Sequence, residues 1–120
     1  MVVRPLVACL CAEWCSSCRD YRATFAALAA QFAGRADFAW IDVEDDADAL
    51  GDPDIEDFPT LLIADPGALR FLGPVTPQAQ MAERLVRQAL DGALSQAGDE
   101  ALVERVRALV GARGPRFPSA

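Results

Sequence analysis

The chain has 120 residues, 52% of them hydrophobic, and carries eleven arginines, no lysine or histidine, and eighteen carboxylates for a net charge of −7. Its length suits one compact core, and its acidic balance disfavours phosphate backbones and anionic lipid. With no apolar run near the ~18–20 residues that span a bilayer, neither nucleic acid nor membrane is expected as a partner, and the default compartment is cytoplasmic.

At the start, "LVAC" (Leu6 to Cys9) has the look of a lipoprotein cleavage box, but only eight residues precede Cys9 and Arg4 and Pro5 interrupt them. That leaves no room for an apolar signal core of about 7–15 residues, so processing there is not expected. From Leu6 to Cys11 the chain instead reads as a buried strand. Ser16 to Phe32 follows as an amphipathic helix, with Tyr21, Phe25, Leu28 and Phe32 recurring at helical spacing and Gly34 as its stop. Ala36 to Val43 is a second, largely buried strand, with Phe38 and Trp40 on one face and Ala39 and Ile41 on the other.

The stretch Glu44 to Asp57 holds eight carboxylates and lacks the spaced pattern of a calcium loop, so it reads as a short helix and loops facing water. Thr60 to Ala64 is a third strand, Asp65-Pro66-Gly67 a tight turn, and Ala68 to Leu72 its hairpin partner, ended by Gly73-Pro74. Thr76-Pro77 suits the cap and first turn of a helix reaching about Leu94. A last segment, Asp99 to Gly111, places Leu102, Val103, Val106, Leu109 and Val110 on one stripe. It is too short to stand alone, so the stripe must dock on the domain or on a partner. The order β-α-β-(α)-β-β-α-α predicts an α/β fold with a four-stranded mixed sheet: a parallel βαβ pair plus an antiparallel hairpin, flanked by helices on both faces.

The chemistry concentrates in "AEWCSSCRDY". Cys15 falls between a strand and the first turn of a helix, where free N–H groups and the helix dipole favour a thiolate. Cys18, one turn on, faces the same side and can close a ring. Arg19 adds a cation there, offset by Glu13 and Asp20. Catalytic dithiol chemistry is the leading reading, with structural packing and metal binding as alternatives. Cys9, Cys11, Cys15 and Cys18 could supply four sulfur ligands, but strand geometry turns Cys9 and Cys11 under the helix rather than into metal-binding loops. No metal or other cofactor is expected. Cys9 and Cys11 read most simply as small buried residues, the alternative being auxiliary thiols that exchange with Cys18.

Trp14, Cys15-Ser16-Ser17-Cys18 and, further on, "DFPTLLI" with Phe58-Pro59 together resemble the thioredoxin family, over about Leu6 to Leu94. The resemblance implies a thioredoxin-like domain over 1–96; beyond it the apolar stripe predicts an additional helix over 97–112, packing on the domain or a partner, followed by a loose tail over 113–120. The resemblance also implies Cys15 as exposed nucleophile, Cys18 as buried resolving thiol, and a cis bond before Pro59 beside them. Trp14, Phe58, Pro59 and Gly73 would border the groove that takes protein disulfide substrates, with electrons from a reductase or a small thiol. Three features depart from the family. An additional strand and helix that usually come first are absent. Ser16-Ser17 replaces Gly-Pro, a dipeptide that bears on redox poise. Cys9 and Trp40 stand where the family has a buried aspartate and lysine, so the resolving thiol's proton falls to water or an acid such as Asp42 or Glu44. The expected function is a thioredoxin-like thiol–disulfide oxidoreductase, reductase direction favoured; the alternative is a redox-sensing or non-catalytic binding module of the same fold.

Overall fold

The computed structural model describes residues 5–12, 15–51, 59–65, 68–76, 78–92, 94 and 100–113. The elements run β1 (Leu6–Cys11), α1 (Ser16–Gln31), β2 (Asp37–Asp42), α2 (Ala47–Leu50), β3 (Thr60–Asp65), β4 (Ala68–Pro74), α3 (Ala79–Leu90) and α4 (Glu100–Arg113). The four strands form one sheet in the order β2-β1-β3-β4. β1 pairs parallel with β2 from Leu6↔Asp37 to Cys11↔Asp42, and antiparallel with β3 from Leu6↔Ala64 to Leu10↔Thr60. Thus β1 is interior to the sheet and buried along its whole length, which is why its sequence is continuously apolar rather than alternating.

Each face of β1 serves a different core. Val7, Cys9 and Cys11 face α1 and α3, while Leu6, Ala8 and Leu10 face α2 and α4, as the two-residue strand period requires. On α1 the buried positions Cys18, Tyr21, Phe25 and Leu28 form one stripe because three- and four-residue steps return to the same helix face. α3 adds buried Ala82 and Val86 to that side. On the opposite side α4 inserts Leu102, Val103 and Val106 into the core, with Leu109 and Val110 partly covered. The Arg107 guanidinium donates to the Asp65 carbonyl at the end of β3. Asp65 also accepts from the Ala68 N–H at 3.0 Å and pairs with Arg70 at 2.7 Å.

Three boundaries differ from the sequence reading. β4 continues through Gly73 and Pro74, which pair with Leu61 and Thr60; Pro74 is tolerated because β4 is an edge strand and the missing N–H leaves no partner orphaned. α3 is capped by Gln78, not by Thr76, and the Gln78 side chain makes no capping bond. The cause lies upstream: Val75 is buried and its N–H donates to the Pro59 carbonyl at 3.1 Å, which keeps the chain extended past the end of β4. α3 then stops at Leu90 rather than Leu94, because Gly92 adopts φ 73°, a left-handed conformation open to glycine that ends a helix. The Pro66-Gly67 turn, Pro77 and the tail beyond Arg113 lie outside the described residues. Among the described residues no helix is long and apolar enough to cross a membrane.

Candidate active site

β1 delivers the chain to the site and α1 carries it away. The Cys15 N–H donates to the Ala12 carbonyl at 3.0 Å, and the Cys15 carbonyl accepts from the Arg19 N–H at 3.2 Å. Cys15 is therefore the N-cap residue of α1, with extended backbone and no side-chain capping bond. Its half-buried thiol sits where the free N–H groups and the dipole of α1 favour negative charge. Ser16, Ser17 and Arg19 are exposed on the first turn, while Cys18 is buried beneath them. Pro59 is buried directly before β3. Gly73 pairs with Leu61 on β4, and a Cβ added there would meet the Phe71 ring at 3.4 Å. Trp14 and Phe58, and with Phe58 the expected cis bond before Pro59, lie outside the described residues.

The sulfur arrangement contains something the sequence reading ranked second. Cys18 faces Cys11 at disulfide contact, with Cα atoms 5.8 Å apart, and Cys15 and Cys9 are free thiols. Cys9 lies behind, its sulfur 3.6 Å from that of Cys11. Both strand cysteines are buried, as expected of small apolar residues, but Cys11 also touches the thiol assigned to resolution. The signal for this was the C-x-C spacing on β1: it places both sulfurs under α1, and only the packing of helix on strand decides which one reaches Cys18. Among the described residues no three His, Cys, Asp or Glu side chains converge in a metal-binding group.

A model of the thioredoxin family matches residues 3–87. The chain belongs to the thioredoxin family. Solved structures of similar fold include the germline-specific thioredoxin Deadhead of Drosophila melanogaster, 16% identical, covering 71% of this chain and 80% of that one, TM-score 0.63. The Fasciola hepatica thioredoxin is 21% identical over 71% of this chain and 80% of its own, TM-score 0.63. The Trypanosoma brucei brucei thioredoxin is 20% identical over 73% and 76%, also at TM-score 0.63. No curated protein matches.

In this member of the thioredoxin family Cys9 stands opposite Trp40 across the sheet. Trp40 is half-buried, packs edge-on against Phe25 at 5.8 Å and lies under the Arg22 guanidinium at 5.2 Å. It lines a cavity of about 410 Å³ together with Cys11, Cys18, Arg22, Asp42 and Asp45. Of the buried cysteines, Cys11 and Cys18 thus border this cavity on the β2 side. Asp42 shapes its rim by accepting the Glu44 and Asp45 N–H groups at 2.8 and 3.0 Å.

Burial pushes the Cys9 thiol well above the ordinary range, and the Tyr21 hydroxyl is raised likewise by burial and then by the charge of Cys9. Unfolded, these groups ionise near ~8.5 and ~10, whereas folded they keep their protons. The unfolded state therefore sheds protons first, so their contribution is full below about pH 8.5 and stability falls as pH rises beyond it. Melting temperatures measured from about pH 8 to 11 should decline, and Cys9→Ala should remove the earlier part of the decline; an unchanged profile would contradict the burial of that thiol. Tyr21 contributes a second test. Its hydroxyl is buried and has no hydrogen-bond partner among the described residues, and such a group costs about 1–3 kcal/mol. Tyr21→Phe should accordingly raise stability by about 1 kcal/mol in urea unfolding, and a loss would indicate a partner for the hydroxyl.

Proposed function

We propose that this thioredoxin-family protein is a thiol–disulfide oxidoreductase acting on protein disulfides, with Cys15 as nucleophile and Cys18 as resolving thiol. The observation that carries the reading is the half-buried Cys15 at the N-cap of α1 with Cys18 buried one turn along the same helix. The Cys15 thiolate attacks one sulfur of a substrate disulfide, forming a mixed disulfide and releasing the other sulfur as a thiolate. Cys18 then attacks Cys15, the substrate leaves with both electrons, and the protein is left oxidised. Trp14, Phe58, Pro59 and Gly73 border the substrate groove in this reading, and Ser16, Ser17 and Arg19 tune the couple. A protein reductase or a small thiol restores the dithiol; the cytoplasm is the compartment that keeps such a couple turning over in the reducing direction.

With Cys9 and Trp40 in place of an aspartate–lysine pair, Asp42 and Asp45 are carboxylates that share a cavity with Cys18, and Asp42 is the one we assign to take its proton. The test is trapping. In Cys18→Ser the mixed disulfide between Cys15 and a chain of native, disulfide-bonded insulin has no internal resolver, so a covalent adduct should accumulate on non-reducing gels and disappear with dithiothreitol. A variant that forms no adduct, in a protein whose insulin reduction also ignores Cys15, would favour a binding module of thioredoxin fold instead.

A further inference from the structure

We propose that Cys11 is a second partner of Cys18, and that the bridge formed in exchange passes inward from Cys15–Cys18 to Cys11–Cys18, leaving Cys15 a free thiol in the oxidised protein. The pairing rests on the structure; that the bridge first forms at Cys15 rests on the disulfide-exchange reading. Cys18 is the hinge between the two. It stands three residues from Cys15 on the first turn of α1 and faces Cys11 across the strand–helix packing, at a Cα separation of 5.8 Å that lies within the range disulfides adopt.

The transfer balances without an external oxidant. The Cys11 proton leaves through the cavity that Cys11 shares with Asp42. Its sulfur attacks Cys18, the Cys11–Cys18 bond forms, the Cys15–Cys18 bond breaks, and Cys15 departs as a thiolate that takes up a proton. Two features favour the inward direction. The leaving sulfur is the one at the helix N-terminus, where negative charge is stabilised and departure is faster. The new bridge is sheltered, with Cys11 and Cys18 only 2% and 1% exposed, so a protein reductant cannot reach it. A low-molecular-weight thiol entering the cavity between Arg22 and Asp45 can. Until that happens the oxidised protein carries a nucleophile that Cys18 is no longer free to resolve, and an attack by Cys15 ends in a persistent mixed disulfide.

Glu13 separates the two strand cysteines from the two helix cysteines in the sequence, which makes the pairing readable. The full chain, oxidised with equimolar diamide, is quenched in acid, alkylated with N-ethylmaleimide and cut with a glutamate-specific protease. The peptide ending at Glu13 should emerge disulfide-linked to the peptide beginning at Trp14, with the alkyl group on Cys15. An unlinked Glu13 peptide, with the bridge confined to Cys15–Cys18, overturns the proposal. In Cys11→Ala the link should vanish and Cys15 alkylation of the oxidised protein should drop by about tenfold or more. A link that survives this change runs through Cys9 and also overturns it. Should Cys11→Ala fail to fold, Cys9→Ala decides: the link must persist there. Insulin turnover measured on the same samples separates the two claims, since a link without turnover overturns only the exchange activity, and turnover without a link overturns only the inward pairing.

Discussion

Cys15→Ser should reduce the rate of insulin disulfide reduction by roughly three orders of magnitude or more, because a serine hydroxyl cannot form the mixed disulfide through which exchange proceeds. The same change should leave the fold intact and even raise the melting temperature slightly. Cys15 occupies the N-cap of α1 and makes no capping bond. Serine is among the best N-cap residues, its oxygen accepting an N–H of the first turn, and a good cap contributes about 0.5–2 kcal/mol. Activity and stability therefore move in opposite directions, a combination that general damage to the site cannot produce. Residual activity near that of the wild type would place the nucleophile elsewhere.

The largest loss of stability is expected at Phe25. Its side chain is fully buried and sits edge-on to Phe38 at 5.4 Å and to Trp40 at 5.8 Å, joining α1 to β2. Phe25→Ala removes the ring and leaves a cavity that the neighbouring rings fill only in part, for a loss of about 3–5 kcal/mol. Against a typical total of about 5–15 kcal/mol, that should bring the urea midpoint sharply down, whereas a change at the exposed neighbour Ala27 should stay within about 0.5 kcal/mol. A shift at Phe25 as small as that at Ala27 would mean that α1 does not pack on the sheet through this ring.

Where a local period governs, the structure could be read from residues alone. The stripe from Tyr21 to Phe32, the uninterrupted apolar β1 and the hairpin around Asp65 all follow from spacing, and the C-x-x-C pair at a helix start marked the candidate site. What escaped the sequence depended on contacts between distant segments. Thr76 is a sound cap by residue type, yet the Val75 bond to Pro59 overrides it by holding the chain extended. Gly73-Pro74 looks like a stop, yet an edge strand can carry both. Cys11 and Cys9 are equivalent on paper, two residues apart on one face; the placement of α1 over β1 distinguishes them. The cavity that Arg22 and Asp45 line together with Cys11 and Cys18 likewise joins a helix to the turn after β2, a contact that no local spacing announces.

The position of β1 inside the sheet has a consequence for how the protein is made. The strand bearing Cys9 and Cys11 leaves the ribosome well before its antiparallel neighbour β3, Thr60–Asp65, has been translated, and such non-local pairing is slow to form. For that interval all four thiols share an unroofed nascent segment, so their correct partnership is chosen after translation, under whatever reducing conditions then surround the chain.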